Sequence, residues 1–162
     1  MRSDMREGWS PVTRLRDRLF HLLFLASRPM TLGVRAAALD GEGRVFLVRH
    51  TYVPGWYLPG GGVERGETMG EALRRELAEE GNIEMTAPPE LFGVYFNNRS
   101  SPRDHVALYV VRAFRQHAPR LPDRELAETG FFPLDALPEA ATAATRARLA
   151  EIAGQAARSD YW

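Results

Sequence analysis

Apolar residues near the start of the chain recur at helical spacing: Val12, Leu15, Leu19, Leu22, Leu23 and Ala26, with Arg14, Arg16, Asp17 and Arg18 between them. That period predicts an amphipathic helix. Arg28-Pro29 ends it, because proline disfavours helical geometry in the residue before it. Its stripe is expected to pack on the domain core. A contact between two copies of the chain, making a homodimer, and a lid over a substrate are the alternatives. Residues 1–10 read as a loose start. Beyond residue 30 the pattern changes. Gly33 to Leu39 and Arg44 to Arg49 flank the turn sequence Asp40-Gly41-Glu42-Gly43, which predicts a hairpin. Val53-Pro54-Gly55 breaks the pattern, and Trp56-Tyr57-Leu58 is a short strand leading into Pro59-Gly60-Gly61-Gly62. Further strands are expected at Leu91–Phe96, Val106–Phe114 and Thr129–Leu134. Ser100–Asp104 and the polar, proline-bearing Gln116–Asp123 are loops, and Ala140–Ala157 is a closing helix. There is no internal repeat and no linker long enough to separate two domains. The reading is an N-terminal helical extension over 1–30 and one α/β domain over 31–162, with a mixed sheet between helices.

The segment from Thr68 to Gly81 is the most informative helix. Thr68 and Glu71 have capping-box spacing, which places its start. At about 100° per residue, Met69, Ala72, Leu73 and Leu77 fall on one side and should face the core. Glu76 and Glu80 fall within that stripe and Glu79 at its edge. Like charges at short range repel, and a buried unpaired carboxylate costs several kcal/mol. A hard divalent cation with oxygen ligands would compensate, and magnesium favours a few carboxylates plus water and phosphate. The plainer alternative is a solvated acidic helix end paired to arginines. Acids late in a helix oppose the macrodipole, which weakens that alternative.

Composition narrows the chemistry. The chain has 162 residues, 44% hydrophobic and 26% charged, ordinary values for one globular domain. Its 21 basic residues are all arginine and balance 21 acids. No net field attracts a polyanion, so extended nucleic acid is not the expected partner. The absence of cysteine removes disulfides, thiolate catalysis and zinc–sulfur sites, and fits a cytoplasmic setting. No apolar run approaches the ~20 residues that span a bilayer, so no membrane is expected. The run Leu19–Ala26 is short, contains His21 and lacks a small-x-small cleavage site, which argues against a signal peptide.

The spacing of this segment also resembles a known family. Five residues separate Gly61 from Glu67, seven separate Glu67 from Arg75, and Arg75-Glu76-Leu77-Ala78-Glu79-Glu80 follows, with Ile83 at the last aliphatic position. This resembles the Nudix box, and the flanking strands extend the resemblance from about Thr31 to Leu137. One position departs: Asn82 stands where the family usually has glycine, and Gly81 comes one place early. Asparagine is the next most tolerant residue of a left-handed helix end, so a slightly altered end and an intact site are expected. The resemblance implies a Nudix-like α/β/α sandwich. It also implies a magnesium-dependent hydrolase, with manganese as an alternative ion, that cleaves the diphosphate of a nucleoside diphosphate linked to another group. The same resemblance leaves open a Nudix-fold sensor that binds a nucleotide without cleaving it. Glu76, Glu79, Glu80 and the Gly60 carbonyl would hold the metal, and Glu67 and Arg75 would pair to fix the loop against the helix. Nucleoside triphosphates, sugar nucleotides resembling ADP-ribose and dinucleoside polyphosphates are the candidate substrates.

The family often adds a distal acid as ligand or base. Glu125, before the last strand, is the first choice, and Glu128 and Asp123 are the alternatives. Trp56, Tyr57, Tyr95 and Phe96 are candidates for stacking on a base, although such residues more often fill a core. Arg49, Arg99 and Arg103 are candidates for a bidentate hold on phosphate. Asn97 and Asn98 suit a turn. His50 and His105 sit at strand ends without a second histidine at metal spacing and read as structural.

Overall fold

The computed structural model describes residues 29–162, and the expected helix over Val12–Ala26 lies outside the described residues. Seven strands and two helices follow: β1 (Thr31–Ala38), β2 (Arg44–His50), α1 (Met69–Gly81), β3 (Ile83–Met85), β4 (Glu90–Phe96), β5 (Asp104–Val111), β6 (Phe114–Gln116), β7 (Leu126–Pro133) and α2 (Ala143–Ile152). Among these residues no helix is long and apolar enough to cross a membrane.

Burial on both faces of the central strands sets the architecture. On β1, β2 and β5, Val34, Ala36, Phe46, Val48, Ala107 and Tyr109 join Ala72, Leu73 and Leu77 of α1 in one core cluster. Their neighbours Ala37, Val45, Leu47, Leu108 and Val110 join Leu149 of α2 in the other. Successive strand residues point to opposite faces, so near-continuous apolar runs mean a layer covered twice. The domain is an α/β/α sandwich. Burying Leu73 and Leu77 contributes roughly 1.5–3 kcal/mol each.

The expected hairpin is corrected. Its turn is present, with Asp40 accepting hydrogen bonds from the Glu42 and Arg44 amides. The strands meet only at the Leu39–Val45 bridge and then part. β1 pairs in parallel with β5, and β2 pairs antiparallel with β7. β4 pairs antiparallel with the other edge of β5, so that sheet is mixed. Strands apolar on both faces gain more inside the sandwich than as an exposed two-stranded ribbon. The expected strand from Val106 to Phe114 is also two. β5 ends at Val111, and β6 turns to pair with β3, which the sequence pattern did not indicate. Trp56–Leu58 forms single bridges only, from Tyr57 to Val48 and from Trp56 to Ala141. The closing helix is shorter than expected. Thr142 caps its start by accepting the Thr145 amide, and Gly154, at φ 70°, follows its end.

Candidate active site

The loop before α1 is pressed onto β1. The Val34 amide donates to the Gly61 carbonyl at 2.8 Å and the Ala36 amide to Pro59 at 2.9 Å. This approach needs glycine. Gly60 has φ 141°, and a Cβ there would sit 2.0 Å from the Val34 carbonyl oxygen. At Gly61 a Cβ would sit 2.3 Å from Oε1 of Glu76, so that carboxylate packs directly on the glycine backbone.

Helix α1 supplies the acids. Thr68 and Glu71 form a reciprocal capping box at its start. At its end Asn82 takes left-handed φ 51° and ψ 33°, and its amide reaches the Ala78 carbonyl, as the departure from the family pattern led us to expect. Arg75 clasps Glu67 with Nε and Nη2 at 3.0 and 3.1 Å, and donates from Nη2 to the Gly62 carbonyl at 3.1 Å. Its Nη1 also donates to Glu76 at 2.6 Å. These bonds hold the arginine charged and draw the Glu67 carboxyl below its usual range. They tie the glycine loop to the helix at two places.

Glu80 reaches inward. Its Oε2 accepts the Gly60 amide at 2.8 Å, and its Oε1 lies 3.5 Å from Nε2 of His50. Burial pushes its carboxyl up to about 7. The Gly60 amide and the Arg35 charge pull the other way, while Glu76 and Glu79 add to the rise. Glu79 is 61% exposed on the rim and 3.7 Å from Arg75.

These groups line one cleft of about 550 Å³ with Gly60, Arg35, His50, Tyr52, Arg120, Asp123 and Glu125. Glu125 enters from the opposite side. Between Arg49 and His50 the β2–β7 register skips Ala127, a bulge that bends β7 just beyond it. The Thr51 amide donates to the Glu125 carbonyl, and Asp123 Oδ1 accepts both the Glu125 and Leu126 amides. Arg120 pairs with Asp123 and donates from Nε to the Glu79 carbonyl at 2.8 Å, so the loop bearing Glu125 is fastened to the end of α1.

The other expected residues separate. Glu128 points away from the cleft to pair with Arg49 at 2.9 Å. Trp56 and Tyr95, expected as surfaces for a base, are buried. Trp56 packs edge-on to Phe132, and the Tyr95 hydroxyl donates to buried Glu151 at 2.8 Å. Phe96 stacks on His105. Arg49 is engaged by Glu128, and Arg103 lines neither this cleft nor the one beside it. Arg99 and Tyr57 line that neighbouring cleft. His50, which reads as structural from the sequence, sits beside Glu80, and Arg35 and Arg120, which are not among the residues singled out from the sequence, line the same cleft. The signal for Arg35 was available, since it is the one charge in the apolar run of β1.

As they stand, the side chains are not gathered around an ion. Among the described residues no three acidic or histidine groups are close enough to hold one. Glu76 is turned to Arg75, and the Gly60 carbonyl already accepts Arg35 Nη1 at 2.7 Å. The donor set still fits a hard divalent cation. All the donors are oxygens, the Gly60 carbonyl keeps a second lone pair, and Glu80 is a buried carboxylate whose charge is under-compensated.

The sequence model of the NUDIX domain matches residues 29–151. The crystal structure of a MutT NUDIX hydrolase from Burkholderia pseudomallei superposes with a TM-score of 0.65 at 30% identity, over 75% of this chain and 97% of that one. An RNA pyrophosphohydrolase of Gluconobacter oxydans is 41% identical over 58 residues, 32% of this chain and 34% of its own length. An ADP-ribose pyrophosphatase of Methanocaldococcus jannaschii is 38% identical over 78 residues, 44% of this chain and 46% of its own. The matches thus span less than half the length of these curated relatives. With the family model covering most of the sandwich, the chain belongs to the NUDIX domain family.

Proposed function

We propose that the protein is a magnesium-dependent hydrolase that cleaves the phosphoric anhydride of a nucleoside diphosphate linked to another group. The observation that carries this reading is the acid cleft. Glu76, Glu79 and Glu80 converge from one helix on the Gly60 loop, with Glu125 opposite and the Glu80 charge under-compensated. Glu76, Glu79, Glu80 and the Gly60 carbonyl would hold the cation, with Glu76 turning from Arg75. When bound, a divalent cation neutralises charge on the diphosphate and makes water more acidic.

The chain's own residues supply the rest. Arg75 and Glu67 hold the glycine loop against the helix that carries the acids. Arg35, which donates only from Nη1 among the described residues, is the cation of the cleft wall placed to receive phosphate oxygens, and Arg120 fastens the loop bearing Glu125. Glu125 takes the proton of the attacking water. A new P–O bond forms from that water, the bridging P–O bond breaks, and a nucleoside monophosphate and the phosphorylated partner group depart.

A panel of nucleoside triphosphates, sugar nucleotides and dinucleoside polyphosphates, assayed with magnesium for released phosphate-bearing products, tests the reading. Turnover of at least one diphosphate compound is expected, abolished by chelation and restored by magnesium or manganese. No turnover of any member at saturating magnesium overturns it and leaves a nucleotide-binding regulator.

A further inference from the structure

Behind α1 lies a groove of about 590 Å³ that shares no residue with the acid cleft. Arg74, Ala78 and the cap residue Asn82 line it at four-residue spacing. At about 100° per residue they fall roughly opposite Glu76 and Glu80 around the helix. Met85 of β3 and the side chains of Glu84 and His117 line it as well.

The groove has an apolar floor and an unpaired cation at its rim. Ala78 is exposed and Met85 half-buried. Arg74 has one long hydrogen bond among the described residues, from Nη1 to the Gly70 carbonyl at 3.5 Å. Glu71, three residues before it, spends its carboxylate on the amide and hydroxyl of Thr68. Glu84 is the one acid of the lining, and its carboxylate meets His117 Nε2 at 2.8 Å. Arg115 stands directly across from Glu84 in the β3–β6 pair.

The same groove touches the root of the loop that carries Glu125. The His117 amide donates to the Asn82 carbonyl at 3.1 Å, and the Asn82 side chain donates to the Ala118 carbonyl at 3.3 Å. Farther along that loop Arg120 pairs with Asp123, which holds the Glu125 amide.

We propose that this groove is a regulatory site for a small amphiphilic carboxylate, its apolar body over Ala78 and Met85 and its head on Arg74, and that occupancy acts on the Glu125 loop through Asn82 and His117. A bare anion gains little from one exposed arginine, because water competes for both charges. An uncharged apolar molecule uses the floor and forgoes the arginine. A carboxylate on an apolar body uses both, since its two oxygens match one guanidinium. A dianionic head would bring a second charge near Glu84. The volume suits a small molecule. The effect on catalysis rests on the hydrolase reading, whereas the binding does not.

The full, isotope-labelled chain, freed of metal, is titrated with octanoate, butanoate and octan-1-ol, and backbone amide shifts are read by nuclear magnetic resonance. Octanoate should move the amides of Ala78, Asn82, Met85 and His117. It should bind about ten-fold more tightly than butanoate, through the methylenes it buries, and several-fold more tightly than octan-1-ol, through Arg74. Arg74→Gln should bring octanoate down to the level of octan-1-ol. Ala78→Phe should block both; the position is exposed, so the ring fills the groove and spares the core, and the remaining amides report that the fold is kept. Shifts scattered outside the groove, or an octanoate affinity that survives both variants, overturn the site. The Glu125 amide should move with the same saturation curve, and its standing still overturns the regulatory link. With a substrate turned over in magnesium, saturating octanoate should change kcat a few-fold in the wild type and not in Ala78→Phe. An unchanged kcat overturns the regulation and leaves the hydrolase standing. Groove binding that follows the variants, in a chain that turns over nothing, overturns the hydrolase reading and leaves the site standing.

Discussion

At the scale of single residues, Glu80 does two things that one substitution separates. Its folded carboxyl titrates near 7, against an ordinary value of 4.5, because burial disfavours its charge. For an acid raised in the folded state, the unfolded chain ionises first. Stability therefore falls as pH climbs from 4.5 through 7, and the penalty is complete above 7. Glu80→Gln keeps an acceptor for the Gly60 amide and removes the charge. The metal-free variant should gain about 1–3 kcal/mol above pH 7 and nothing below pH 4, while its turnover with magnesium falls at least about 100-fold. Urea titrations at the two pH values read the first effect. Wild-type turnover in the variant would remove Glu80 from the site. Glu125 is the other test at this scale. A base at the water contributes about 10²–10⁴-fold in rate, so Glu125→Gln should lower kcat by that order with KM little changed. Glu128→Gln should be silent, since Glu128 faces Arg49. Asp123→Asn should act in part, through the amides it holds. A silent Glu125→Gln beside an inactive Asp123→Asn would move the role.

At the scale of elements, the end of α1 is the place where the chain departs from its family. Asn82 has left-handed φ 51°, and its side chain donates to the Ala118 carbonyl at 3.3 Å. Asn82→Ala should cost about 1–2 kcal/mol, because alanine lacks the short polar side chain that lets asparagine tolerate the left-handed conformation and loses the bond to Ala118. Asn82→Gly should cost less, exchanging a hydrogen bond for easier backbone. Chemical denaturation of both variants decides; an alanine no worse than glycine would mean the left-handed turn carries little of the strain. This helix was legible in the sequence because its determinants are local: the capping box, the 3.6-residue stripe and the punctuating glycine. So were the Glu67–Arg75 spacing and the positions of most strands. The partnering of β1 and β2 was not, because a turn sequence fixes where the chain reverses and says little about which distant strand completes each edge. The pairing of β3 with β6 was hidden for the same reason, both being three residues long. Trp56 and Tyr95 proved to be core residues, the commoner outcome, because an aromatic on a strand reads alike whether it faces a cleft or a core.

At the scale of the whole molecule, one buried ion pair secures the segment Ser159–Trp162. The side chains of Arg148 and Glu151 are 4% and 3% exposed and meet at 2.5 Å. Glu151 also accepts the Tyr95 hydroxyl and the Ser159 amide, and Arg148 lies 4.4 Å from the Tyr95 ring centre. Removing one member leaves the other charge buried and unpaired, so Arg148→Ala should cost about 3–5 kcal/mol. Hydrogen exchange should quicken at Ser159–Trp162 before it does on β5; uniform protection would show that the segment does not depend on the pair. The sheet itself has a consequence for how the chain is made. Thr31 pairs with Asp104 and Arg49 with Glu128, separations of 73 and 79 residues. During synthesis α1 leaves the ribosome well before β5 and β7, so its acidic edge and apolar stripe both wait in water. Pairing across such distances makes folding slow compared with helix formation. A nascent chain halted before residue 104 therefore holds every acid of α1 and no finished sheet beneath them, and the cleft comes into being only with the last strands.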